Sequence, residues 1–217
     1  MTNEELEELF VNAPRLYHMA ESDSWASIKE RGLLSTSAIL DLYGVTGDER
    51  KKIEETRRPA SVTLTHETLP SLVIRDQIPI TDWALTRCLL DGLSPSDWYL
   101  LLNQRVFFWP SKERLLRLLG ARAYRGKKHD ILEVDCRQLV EAYGDKITLS
   151  PINSGSTLFN PQSRGKETFR RISDYPYASR PKDNRLAELA IDHSVPDISR
   201  YVRRAVKMKG PDELEEY

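Results

Sequence analysis

The residue best placed to do chemistry is Glu188, in the stretch "NRLAELAIDHSVPDI" over residues 184–198. It stands between Ala187 and Leu189 in a run that otherwise reads as the core of a strand. A carboxylate there is either a surface residue on the wet side of the strand or a buried charge kept for chemistry. Strand alternation puts it on one face with Leu186, Ala190 and Asp192, and that pair of acids fits a half-wet strand with Glu188 exposed. Other chemistry-bearing residues are scattered. His18 ends the short strand candidate "RLYHM", Arg75 lies in "VIRDQIP" with Arg87 a little further on, and Arg105 opens the aromatic strand "RVFFWP". Pro151 to Asn184 form a long segment rich in Gly, Ser, Pro and basic residues. A stretch of that length without regular structure is usually functional or disordered.

Common motifs are missing. "NSGST" lacks the spacing of a phosphate-binding P-loop, no GxGxxG occurs, and "HETLPS" lacks the second histidine of a zinc protease. No nucleophile elbow is present. Cys88 and Cys136 are far apart and have no histidine at ligand spacing, which argues for a reducing compartment and against a metal site or a disulfide framework. The acidic start "MTNEELEELF" is neither a signal nor a transit peptide. No apolar run approaches the roughly 18 residues a bilayer span needs. A cytoplasmic protein with no membrane contact is expected.

The 32 Lys and Arg nearly balance the 33 Asp and Glu, so overall charge points to no polyanion. Local charge does. Lys112 to Lys128 holds seven basic residues and one acid, and further basic stretches run from Arg164 to Arg185 and from Arg200 to Lys209. Such clusters bind phosphates or are simply solvated faces.

The elements that would position these residues alternate without a regular βαβ rhythm. Helices are expected at "NEELEELF", "SWASIKER" (capped from Ser22–Ser24 and stopped by Gly32), "STSAILDLYG", "SPSDWYLLLNQ", "SKERLLRLL" (capped by Ser111) and "CRQLVEAYG". "GDERKKIEETRRP" reads as a polar helix or loop. Strands are expected at "RLYHM", "ASVTLTH", "RVFFW", "HDILEVD", "KITLS", "RLAELAI" and "ISRYVRRAVKM". The length would hold one generous domain or two small ones. The interleaved elements read as α+β, and the acidic 211–217 reads as a flexible tail.

Three ordered segments carry a resemblance: "LYHMAESDSWASIKERGLLS", "NQRVFFWPSKERLLRLL" and "LAELAIDHSVPDI". Together they resemble the DarT-like family of nucleic-acid ADP-ribosyltransferase toxins, over most of the chain from His18 to Val206. The resemblance implies an ADP-ribosyltransferase-like fold, a mixed or antiparallel split β-sheet core flanked by helices, in a single domain over residues 1–210. It implies NAD as substrate, no metal, and a nucleic-acid acceptor. Glu188 would be the catalytic glutamate, assisted by Arg75 or, less well matched, Arg87. His18, Ser35, Arg105, Phe108 and Trp109 would form the NAD-binding set, and Asn153, Thr157 and Arg164 of the long loop would contact the acceptor or the NAD phosphates. A non-catalytic nucleic-acid or nucleotide-binding module on the same fold is the alternative.

Overall fold

The computed structural model describes residues 1–158, 160–182 and 185–217. Its elements, in chain order, begin with α1 (Asn3–Asn12), β1 (Arg15–Glu21), α2 (Trp25–Arg31), β2 (Leu33–Leu34), α3 (Thr36–Leu42) and α4 (Gly47–Glu54). A ribbon of β3 (Val62–Leu64) and β4 (Leu72–Ile74) leads to α5 (Asp82–Cys88), α6 (Pro95–Asn103), β5 (Arg105–Phe108) and α7 (Lys112–Leu119). The chain continues through β6 (Lys128–Asp135), α8 (Cys136–Tyr143), β7 (Ile147–Ser150), β8 (Arg170–Arg171), β9 (Glu188–Asp192), β10 (Ser194–Val195), β11 (Val202–Lys209) and β12 (Asp212–Glu216). The class is α+β, with eight α-helices and antiparallel strand pairing among the described residues.

Two four-stranded sheets organise the molecule, in the orders β1-β6-β11-β12 and β5-β9-β7-β8. They meet at one seam, where Tyr17 of β1 and Trp109, just past β5, exchange backbone hydrogen bonds at 2.9 Å in both directions. Beneath the seam lies the larger core, with Leu16, Leu132 and Val134 from the first sheet against Val106, Phe108, Leu149 and Leu189 from the second. β9 is central in its sheet, paired to β5 on one side and to β7 on the other. Its first four residues, Glu188 included, are buried, and Leu189, Ala190 and Ile191 between its two terminal acids are apolar without alternation.

Local sequence explains most element ends. Thr2 caps α1 in a reciprocal capping box with Glu5, and Ser94 does the same for α6 with Asp97. The start of α2 corrects the expectation: Ser24 makes no capping bond, and the first helical N–H, from Trp25, donates instead to Asp130 Oδ2 across the sheet at 3.0 Å. Gly32 then ends α2 at φ +86°, where a Cβ would stand 2.5 Å from the Pro196 Cα, so only glycine lets the β2–β10 ribbon close over the helix.

The stretch at 211–217, expected to be a flexible tail, is instead the edge strand β12. Its carboxylates are held by cations on the neighbouring strand: Arg204 pairs with Glu213 and Glu216, and Lys207 with Glu215. Tyr217 follows, donating its hydroxyl to Asp130 Oδ1 at 2.6 Å. Fully buried Asp130 therefore ties together α2, β6 and the end of β12. Asp130→Ala is expected to destabilise the fold by about 2–3 kcal/mol, since it orphans a helix N–H and a hydroxyl. Urea unfolding measures this, and a variant within about 0.5 kcal/mol of the parent would show the two bonds to be immaterial. No helix among the described residues is long and apolar enough to cross a membrane.

Candidate active site

A cleft of about 810 Å³ opens at the seam between the sheets. That lies within the ~300–1,000 Å³ typical of small-molecule and cofactor sites. His18, Arg75 and Glu188, far apart in sequence, all line it.

Glu188 opens β9, opposite Ser150 of β7. It is buried, at 4% exposure, which overturns the reading of a half-wet strand. Its Oε2 accepts two bonds from Ser154, from the backbone N–H at 3.0 Å and from the hydroxyl at 2.5 Å. Oε1 has no hydrogen-bond partner among the described residues and is the oxygen left for a ligand. Burial pushes the carboxyl up to about 7, against the opposing pull of the Ser154 bonds and of the Arg114 and Arg164 charges. Near neutral pH the group therefore passes between acid and carboxylate, a property common at functional sites.

His18 is fixed by the seam itself. Its Nδ1 lies 2.8 Å from the Phe107 carbonyl. A carbonyl only accepts, so Nδ1 carries the proton and Nε2 is a bare acceptor. Burial lowers the imidazole to about 4, so the ring stays neutral across physiological pH.

Arg75 follows β4 directly and reaches back to β1, where its Nη1 donates to the Met19 carbonyl at 3.2 Å. The guanidinium lies over the Tyr124 ring, 5.2 Å from its centroid. No carboxylate among the described residues is within ion-pair distance; the neighbouring Asp76 instead accepts from Tyr124 and from the Ile78 N–H. Burial lowers the affinity of Arg75 for its proton. A desolvated guanidinium with most of its donors unspent is a ready anion-binding group. Buried Arg58 steadies the segment by donating to the Arg75 carbonyl at 3.1 Å. Arg87 is elsewhere, exposed on α5 with its guanidinium over Trp83, so it is not the arginine of the site.

The other expected residues divide. Trp109 and Arg105 line the cleft, although Arg105 is already engaged with the Leu101 carbonyl at 2.6 Å and with Asp192 at 3.4 Å. Ser35 lines it too, with its hydroxyl capping α3. Phe108 does not; strand alternation turns it into the core and presents Phe107 to the cleft instead. Asn153 is exposed at the cleft. Thr157 and Arg164 are buried and make structural bonds: Thr157 Oγ1 accepts from the Thr81 N–H, and Arg164 donates to three backbone carbonyls and lies beside the Cys88 thiol. Neither is placed to meet an acceptor. The irregular segment holding them includes Phe159, Asp183 and Asn184, which lie outside the described residues.

Sequence reasoning passed over Ser154, Arg31, Arg114 and Tyr124, all of which line the cleft. The basic amphipathic pattern of α7 was a usable signal for Arg114; nothing in "NSGST" marked Ser154 as the partner of a glutamate 34 residues later. Among the described residues no group of three or more His, Cys, Asp or Glu side chains is placed to hold a metal ion.

The basic stretches also differ once placed. From 200 to 209 every cation but Lys209 is spent on acids, as Arg200–Asp197, Arg203–Asp135, Arg204–Glu213 and Lys207–Asp23. In the 164–185 stretch, Arg170, Arg171 and Arg185 pair with Glu167, Asp192 and Glu8. Exposed cations without carboxylate partners among the described residues remain in each stretch, Lys166 and Lys182 in the second and Lys209 in the third. The largest group is Arg117, Arg122, Arg125 and Lys128 in the 112–128 stretch, beside the cleft-lining Arg114.

Residues 14–202 match the model of a family of unknown function, DUF7002, and the chain belongs to that family. No curated protein matches it.

Proposed function

We propose that this DUF7002 protein is an NAD-dependent ADP-ribosyltransferase built on a split-sheet ADP-ribosyltransferase-like fold, with Glu188 as its catalytic residue and a nucleic acid as acceptor. The observation that carries this reading is the convergence of Glu188, whose Oε1 has no hydrogen-bond partner among the described residues, on the cleft also lined by neutral His18 and by Arg75, which has no carboxylate partner among them.

These groups fit the dinucleotide. His18 Nε2 accepts from a ribose hydroxyl, Arg75 grips the pyrophosphate, and Phe107 and Trp109 supply flat apolar walls for a ring. Departure of nicotinamide leaves positive charge on the ribose. An ionised Glu188 fixed on a central strand stabilises that charge where it develops. Ser154 holds Oε2, so that Oε1 stays turned to the cleft without reorganisation. The acceptor then bonds to the ribose carbon as the bond to nicotinamide breaks, and its proton leaves to a base or to water.

The acceptor class rests on the α7 side of the cleft. Arg114, Arg117 and Tyr124 line the cleft, and the exposed cations Arg122, Arg125 and Lys128, which have no carboxylate partner among the described residues, continue from them along the chain. A single strand lying there would present its phosphates to these cations, with affinity falling steeply as salt rises.

The test is incubation with labelled NAD and single-stranded DNA, RNA or cell lysate, following nicotinamide release and label transfer. No release and no transfer under any of these conditions sinks the enzyme reading. Salt-sensitive nucleic-acid binding that persisted would then indicate the non-catalytic module.

A pH dependence follows from the same carboxyl. Only its ionised form stabilises the forming cation, so kcat/KM for nicotinamide release should rise with pH, with a midpoint at about 7, and level off above it. A flat profile between pH 5.5 and 8.5 would separate the rate from Glu188.

A further inference from the structure

Arg164 is 1% exposed, and its guanidinium faces no carboxylate within ion-pair distance among the described residues. A buried charge spent on neutral partners is costly and needs a structural reason. Its bonds supply one. Nη1 donates to the Ser154 carbonyl at 2.9 Å, Nη2 to the Ser156 carbonyl at 2.9 Å, and Nε to the Gln162 carbonyl at 3.1 Å. The Ser154 carbonyl also accepts from fully buried Trp98, Nε1 at 3.3 Å, and the Arg164 guanidinium stands 5.6 Å from the Trp98 ring centroid. Ser154 is the residue whose N–H and hydroxyl both hold Glu188.

The arginine is itself anchored. Its N–H donates to the Cys88 carbonyl and its carbonyl accepts from Leu90, both at 2.8 Å. The next residue, Gly165, lies so close to Asp91 that a Cβ would fall 2.2 Å from the carboxylate oxygen that accepts from the Lys166 N–H. α5 and α6 thus fix Arg164 from outside the loop, and Arg164 fixes the loop.

We propose that Arg164 is the positioning residue for Glu188: by gathering the carbonyls of Ser154, Ser156 and Gln162 it sets the turn that presents the Ser154 N–H and hydroxyl to Oε2 and leaves Oε1 to the substrate. This rests on the reading of Glu188 as the catalytic carboxylate. Its charge also bears on the carboxyl, together with that of Arg114 on α7; neutral His18 and Arg105 line the same cleft from β1 and β5.

The test compares the full chain with Arg164→Gln, Arg164→Lys and Trp98→Phe, using nicotinamide release from NAD and a carbon-13 NMR titration of the Glu188 carboxyl, assigned by its loss in Glu188→Gln. Arg164→Gln should lower kcat about 10- to 100-fold, the range for losing a supporting residue, and leave KM within about threefold, because ground-state contacts are untouched. The Glu188 titration should move up by about one unit as a nearby cation is lost. Arg164→Lys, which keeps the charge but not the fork, should return the titration to its original midpoint and recover only part of kcat. A purely structural arginine would lower the melting temperature without moving the titration. A folded Arg164→Gln with both kcat and the Glu188 titration unchanged overturns the proposal. If that variant does not fold, Trp98→Phe decides: lower kcat at unchanged KM supports the proposal, and unchanged kcat overturns it. The titration needs no turnover, so a parent protein that releases no nicotinamide defeats the activity alone, while an unmoved titration defeats the role of Arg164 alone.

Discussion

Glu188→Gln is expected to lower nicotinamide release about 1,000-fold, in the range found when one preorganised transition-state group is removed, while binding NAD nearly as well as the parent. The substitution keeps the shape and keeps an acceptor for the two Ser154 bonds, so the cleft should stay formed. Only the negative charge goes, and that charge matters most when positive charge develops on the ribose. Stability should move the other way. The folded protein holds the Glu188 proton to about 7, against an ordinary value of 4.5. With the folded value raised, the folded state binds more protons than the unfolded one in that window. Stability is therefore fully present below about 4.5 and declines as pH rises through 7. Above that window the buried carboxylate costs on the order of 3 kcal/mol, and glutamine removes the cost. At pH 8 the variant should melt higher than the parent, and at pH 4 the two should converge. A variant keeping more than about a tenth of the parent rate would remove Glu188 from the chemistry.

Much of the frame was legible in the sequence because local patterns and tertiary burial agree over it. β1, β5, β6 and β7 and the helices α1, α3, α6, α7 and α8 fall where periodicity and caps put them. β4 and α5 escaped, because "LVI" is short and "DWALTRC" is only about two turns, whose apolar face α6 completes. Alternation alone pointed Glu188 to the wet side for a physical reason: it is informative for a strand wet on one face, whereas β9 is covered on both. The 211–217 strand was misread because its acids look solvated until Arg204 and Lys207 on β11 meet them. Arg164 shows the limit most clearly. In sequence it is one more cation in a basic loop, and only the fold reveals that its donors turn inward to three carbonyls. What a side chain donates to across a turn is not written in its neighbours.

Arg75→Met should separate binding from stability. Removing the guanidinium should raise the dissociation constant for NAD about 30- to 100-fold, equivalent to about 2–3 kcal/mol, as for a desolvated charge-assisted contact. The protein should lose little stability or gain some. In the free state the guanidinium is desolvated, has no carboxylate partner among the described residues, and spends one of its donors, on the Met19 carbonyl. Its remaining compensation is the Tyr124 face, which a methionine side chain also packs against, and the more distant attraction of Asp76 and Glu21. A half-buried cation kept at that expense is best explained by an anion it meets in the working state, and apolar replacements of desolvated charged groups are often neutral or stabilising. Arg75→Lys keeps the charge but loses the planar fork, so it should recover affinity only in part. Calorimetric titration with NAD beside thermal melts separates the two effects. If Arg75→Met melted several degrees lower and bound NAD like the parent, Arg75 would be a structural bridge from β4 to β1, and the anion would have to be held elsewhere in the cleft.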